Sequence, residues 1–175
     1  MTTTTLDSAE FDPYYGRYIG LLDCKLDLRE GFTTGLETTT TFFKSIPDDR
    51  LDFRYEEGKW TIKEVLQHLI DTERIFIYRC FRIARRDITA LAAFDQNIYT
   101  LPSGAGQKTF DQLLGEYTVG RRNSISILNS LSDDDLSYVG NANGAAMSAR
   151  AAAFTIIGHD IWHMDIIKER YLQGT

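Results

Sequence analysis

Residues 59–86, KWTIKEVLQHLIDTERIFIYRCFRIARR, decide the fold class of this chain. Thr61 is followed three residues later by Glu64, a pair whose side chains satisfy each other's backbone N–H groups in a capping box, so a helix starts here. Val65, Leu66, Leu69, Phe76, Cys80 and Ile83 then recur at helical steps, while Lys63, Glu64, Arg74 and Arg82 fall mostly off that stripe. The spacing predicts an amphipathic helix from Thr61 to about Arg86 with one face in a core.

The same period extends in both directions. Upstream, a short helical segment follows Pro13 through YYGRYIGLL. A longer helix spans about Lys25 to Ser45, carries Leu28, Phe32, Leu36, Phe42 and Phe43, and is stopped by IPDD at 46–49. Four threonines at 38–41 count against it, because β-branched residues are poor helix formers. Downstream, a third long helix is expected from about Phe110 to Leu131, with Thr109 or Asp111 near its start and Leu113, Leu114, Tyr117, Ile125 and Leu128 on its apolar face. Gly115 and Gly120 weaken its middle. GNANG at 140–144 reads as a turn, and a last helix runs from about Ser148 to Leu172 with Ala149, Ala152, Ala153, Ile156, Ile167 and Tyr171 inside. No strand pattern competes. Four long amphipathic helices give an all-α, antiparallel four-helix bundle. Its second-to-third connection contains ITALAAFDQNIYTLPSGAGQK at 88–108, and a loop longer than about 12–15 residues tends to be functional, so this one is expected to cover a site.

Composition bounds the rest. At 175 residues, 43% hydrophobic and 25% charged, the chain fits one soluble domain over 11–175, preceded by a Thr-rich, flexible tail at 1–10. Nineteen basic against 25 acidic residues give a net charge of -6, which repels phosphate backbones and excludes nucleic acid as a natural partner. There is no positive n-region and no run of about 18 apolar residues, so a cytoplasmic protein with no membrane partner is expected. Cys24 and Cys80 form no CxxC and sit among apolar residues, as reduced core thiols do. A small-molecule substrate suits such a domain, and an exposed helix face could serve a homodimer.

Three histidines remain to be placed. His159 and His163, in GHDIWHMD at 158–165, are four residues apart, so on a helix they sit about 40° apart on one face. His68 lies at the edge of the second long helix's apolar stripe. If the second and fourth long helices are neighbours the three imidazoles converge, and three neutral imidazoles with water as the exchangeable ligand make an open divalent-cation site. The spacing alone is shared with hydrogen-bonded core or rim histidines. Asp160 stands where HExxH has its glutamate, and its shorter side chain disfavours a zincin protease. Asp71, Asp160 and Asp165 lie close to these histidines in sequence and could fix their tautomers. Asn97 and Tyr99 in the connection, and Arg121 on the third long helix, could line a pocket and hold an anionic substrate. Trp60 is expected to pack at the start of the second long helix, and Trp162 beside the site.

GKWTIKEVLQHLIDTERIFIYR at 58–79 and GHDIWHMDIIKERY at 158–171 resemble the DinB-like family, also described as DinB/YfiT-like metalloenzymes. The likeness runs from about Asp12 through FFKSIP, FDQNIY and the NG turn to Tyr171. It implies an up-down-down-up four-helix bundle and a divalent metal held by His68 from the second helix and His159 and His163 from the fourth. Trp162 departs from many relatives, which have a further histidine there. The resemblance leaves the metal open among zinc, nickel, manganese and iron, with zinc or nickel favoured. It also implies a low-molecular-weight thiol as co-substrate, since relatives include thiol S-transferases using bacillithiol or mycothiol and a thiol-dependent maleylpyruvate isomerase. Metal-activated attack of a thiolate on an electrophilic carbon is therefore expected, with metal-dependent hydrolysis or non-catalytic metal and ligand binding as alternatives.

Overall fold

The computed structural model describes residues 1–173. Three short 3-10 turns lead to α1, Gly16–Ile19, followed by α2, Leu28–Lys44; α3, Ile62–Ala84; α4, Gln96–Thr100; α5, Phe110–Asn129; and α6, Asp133–Ser137. A hairpin of β1, Val139–Ala142, and β2, Ala145–Ser148, precedes α7, Ala149–Ile166, which runs on into a π-helical turn over Ile167–Tyr171.

Local chemistry sets the helix starts. Thr61 Oγ1 accepts the Glu64 N–H at 3.1 Å, and Glu64 Oε2 accepts the Thr61 N–H at 2.7 Å, closing the capping box that the sequence predicts. The same device starts α5, where Thr109 is the cap and Gln112 completes the box. The threonine run does not break α2. Thr40 folds its hydroxyl back onto the Leu36 carbonyl at 2.7 Å, and Thr39 is buried in the packing with its hydroxyl unpartnered among the described residues.

Contacts between helices fix the topology. Around the bundle, α2 and α3 are each flanked by α5 and α7. Arg29, at the start of α2, reaches Leu131 and Asp133 beyond the end of α5, so that pair is antiparallel. The α3 and α7 pair is also antiparallel, because His68 near the start of one meets His159 near the end of the other. In contrast, Lys108 bonds Gln67 where α5 and α3 begin, and Arg86 pairs with Asp135 where they end, so these two run parallel. Gly31 packs on Ile157 and Lys168 lies over Phe42, which makes α2 and α7 parallel as well. The bundle is thus up-down-down-up. This is the topology that the family resemblance implies, and it depends on the connection over 85–109, which returns the chain to the end where α3 began.

Two apolar clusters fill the interior. One is built around Phe32, Phe76, Ile83, Leu128 and Phe154, the other around Phe43, Leu66, Leu69, Leu113 and Ile167. Each fully buried side chain of this kind contributes about 1.5–3 kcal/mol of transfer free energy. Between the clusters lies a polar waist, with Glu73 on α3, Arg121 on α5 and Asp160 on α7, all buried.

The hairpin is a correction, since no strands were expected. Asn143 and Gly144 have φ of 56° and 79°, the left-handed pair of a two-residue hairpin turn. Its strands, VGNA and AAMS, lack the alternating β-branched residues that announce strands, and pairing comes from the turn. Leu91 extends the ladder, donating to Asn141 O at 3.0 Å and accepting from Asn143 N at 2.9 Å. At the N-terminus, the Met1 ammonium sits 2.6 Å from Asp27, and buried Glu10 pairs with Arg150. Cys80 is buried as expected, whereas Cys24 is exposed. No described helix is long and apolar enough to cross a membrane.

Candidate metal centre

His68, on the second turn of α3, and His159 and His163, on the last turns of α7, point their Nε2 atoms at one spot. The His68 and His163 nitrogens lie 3.0 Å and 3.1 Å from that of His159. A neutral imidazole nitrogen offers either one lone pair or one N–H, so His159 Nε2 can complete one good hydrogen bond and not two. A cation at the focus satisfies all three. Imidazole nitrogens sit about 2.0–2.1 Å from such an ion, which puts neighbouring ligands about 2.9–3.4 Å apart; the two separations to His159 fall in that range, and the three nitrogens all lie within 4.8 Å of one another. Burial pushes His68 down to about 3, with the charge of His163 adding to it, and pushes His163 down to about 4. Burial, then the other two imidazoles, also holds His159 well below its ordinary value. All three are therefore unprotonated near neutral pH, the form that binds metal.

The surrounding side chains hold this geometry. Trp60 lies against His68 with ring centroids 4.8 Å apart, and Tyr18 presents its edge to His159 at 5.1 Å and to Trp162 at 5.7 Å. Tyr18 reaches the site because α1 crosses α7 at Gly158, where any Cβ would overlap the Tyr18 carbonyl. Thr72, one turn after His68, has its hydroxyl 3.4 Å from His68 Nδ1, where it can accept that N–H and leave Nε2 free to coordinate. Sequence reasoning passed over Thr72 in favour of Asp71, although the four-residue spacing from His68 pointed to it.

The three aspartates expected near the histidines are engaged elsewhere. Asp71 accepts from Gln67 at 3.0 Å and from Arg74 at 3.0 Å. Asp165 faces solvent and pairs with Lys168 at 2.9 Å. Asp160 points to the opposite face of α7 from His159, into the waist. There its Oδ2 accepts from Tyr117 Oη at 2.6 Å and from Arg121 Nη2 at 2.7 Å. Burial lifts Asp160 to about 6, and the Arg121 charge holds it back from rising further. Arg121 also donates to Glu73 at 2.9 Å and is 0% exposed, so it ties three helices together; it borders a separate cavity with Gly31, Gly35 and Ile157, and not the one beside His159. An α-helix turns neighbouring residues about 100° apart, which is why Asp160 and His159 serve different faces.

Beside His159 opens a cavity of about 540 Å³, walled by Tyr15, Tyr18, Phe76, Arg79 and Thr155, and by Phe94 and Asn97 of the connection. The long loop therefore borders the site, as its length suggests, and Asn97 contributes to the wall. Tyr99 lines a smaller cleft next to His68, with its ring edge on Phe94 at 5.7 Å. Asn143 of the hairpin turn and Arg79 are cavity residues that no motif announced.

Fold and site together define a class: four-helix bundles whose second and fourth helices bring three histidines to one point. The chain belongs to the DinB superfamily, whose family model matches residues 32–167. Among solved structures it is similar to YfiT from Bacillus subtilis, described as a probable metal-dependent hydrolase with an unusual four-helix bundle topology. That match has a TM-score of 0.68 at 16% identity and covers 94% of this chain and 90% of YfiT. No curated protein matches the chain.

Proposed function

We propose that this protein is a divalent-metal-dependent enzyme whose ion is held by His68, His159 and His163, and that it transfers a low-molecular-weight thiol to an electrophilic small molecule bound in the adjoining cavity. The observation that carries this reading is the convergence of three unprotonated Nε2 atoms at the edge of a cavity large enough for a substrate. A divalent cation there supplies a lowered pKa to the thiol or water it holds, and so a nucleophile near neutral pH.

The protein's own groups orient and enclose. Thr72 sets the tautomer of His68, Trp60 and Tyr18 fix two of the imidazole rings, and the aromatic walls limit water around the reacting carbon. Among the described residues no carboxylate hydrogen-bonds an imidazole, and an ionised thiol needs no base from the protein. A hydrolytic reading is favoured by the likeness to YfiT and its description as a probable metal-dependent hydrolase. The two separate in one experiment on cobalt-loaded protein. Thiol transfer is supported if a simple thiol such as 2-mercaptoethanol changes the cobalt spectrum and monochlorobimane is then consumed. A spectrum unmoved by thiols, with hydrolysis of 4-nitrophenyl acetate, favours the second reading and rejects the first.

A further inference from the structure

Arg79 lies three turns beyond His68 on α3 and is 2% exposed. Its guanidinium is stacked over Phe76 at 4.9 Å and near Phe94 at 5.9 Å. Nη2 donates to the Ala92 carbonyl at 2.8 Å, while Nη1 has no hydrogen-bond partner. The other buried arginine, Arg121, is offset by Glu73 and Asp160, but no carboxylate pairs with Arg79 among the described residues. A buried guanidinium costs free energy unless its charge and its donors are matched, and two aromatic faces and one carbonyl match it only in part. This side chain forms part of the wall of the cavity that His159 also lines.

We infer that the molecule bound in this cavity carries a carboxylate, and that the Arg79 guanidinium recognises it. This rests on the reading of the cavity as the substrate site of the metal centre. An apolar body suits Tyr15, Tyr18, Phe76 and Phe94. The charge is limited to a single carboxylate by Asp12 and Asp95 on the same walls, which cap the Tyr14 and Asn97 N–H groups and would repel a polyanion. The sequence places an anion-binding arginine on the third long helix; the buried arginine without a carboxylate partner among the described residues is on the second.

Phenylacetate and its uncharged analogue phenylacetamide test this by calorimetric titration of chelator-treated and zinc-loaded protein, wild type and Arg79→Gln. A charge-assisted hydrogen bond predicts that wild type prefers phenylacetate by about tenfold or more in both metal states, and that Arg79→Gln loses the preference. Arg79→Lys, which keeps the charge in the aromatic slot, covers the case in which Arg79→Gln folds poorly and is expected to weaken the preference. The inference is overturned if the wild type shows no preference, including no binding of either probe, or if both variants keep the full preference. A preference confined to zinc-loaded protein also overturns it, because the cation is then the carboxylate's partner, and in that case the metal reading stands.

Discussion

Gly158 and Tyr18 are in backbone contact: the Tyr18 carbonyl occupies the space that a side chain on Gly158 would need. The residue before His159 is thus small because α1 crosses α7 there, and the crossing delivers the Tyr18 ring to the imidazole. Gly158→Ala must push α1 away. The expected cost is about 1–3 kcal/mol of overpacking, read by urea denaturation, together with altered tyrosine fluorescence or NMR contacts between Tyr18 and His159. Unchanged stability would show that α1 does not seat on this glycine.

The waist predicts an asymmetric response to charge removal. Arg121→Met leaves Glu73 and Asp160 buried without a counterion and should destabilise by about 3–5 kcal/mol. Asp160→Asn keeps a group able to accept from Tyr117, removes one of two carboxylates that share one guanidinium, and should cost less. Equal losses from the two variants would contradict this account.

Much of this was legible in the sequence, and the gaps have physical causes. The capping box, the apolar stripe of α3 and the two-residue NG turn are local, so they can be read from neighbouring residues. Helix direction is not local: whether α5 runs with α3 depends on where the 85–109 connection ends, which no period records. Histidine convergence needed α3 and α7 to be neighbours, and that adjacency came from the family resemblance. Asp160 and Asp165 misled because proximity in sequence is not proximity on a helix face, and Asp71, on the His68 face, is taken up by Gln67 and Arg74. Arg79 and Arg121 are indistinguishable as arginines in the sequence, and both are buried; their partners separate them.

Acid should destabilise the metal-free protein. The three histidines have folded-state values below the ordinary 6.5, so on unfolding below that pH they take up protons that the folded protein rejects. Stability is present above about pH 6.5 and is lost as pH falls toward the folded values near 3 to 4. Asp160 opposes this between about 6 and 3.8, where its raised value makes the folded state hold a proton that the unfolded state releases. Three proton-binding sites outweigh one, so the urea midpoint should be lower at pH 5 than at pH 7. A midpoint unchanged between these values would mean that the histidines are not held neutral by burial.

Thr72→Val removes the hydroxyl at His68 Nδ1 while preserving shape. Losing such an outer partner typically weakens metal binding by about 10- to 100-fold, measurable by competition with a chromophoric chelator. An unchanged affinity would mean that Thr72 does not set the tautomer.

The central claim is that His68, His159 and His163 hold one divalent ion. Plasma mass spectrometry on untagged protein, purified without added metal and set beside a His159→Ala/His163→Ala variant checked for helical content, tests it most directly. The account predicts about one equivalent of a divalent metal in the wild type and none in the folded variant. Wild-type protein that stays metal-free after incubation with zinc, nickel, manganese or iron would contradict it.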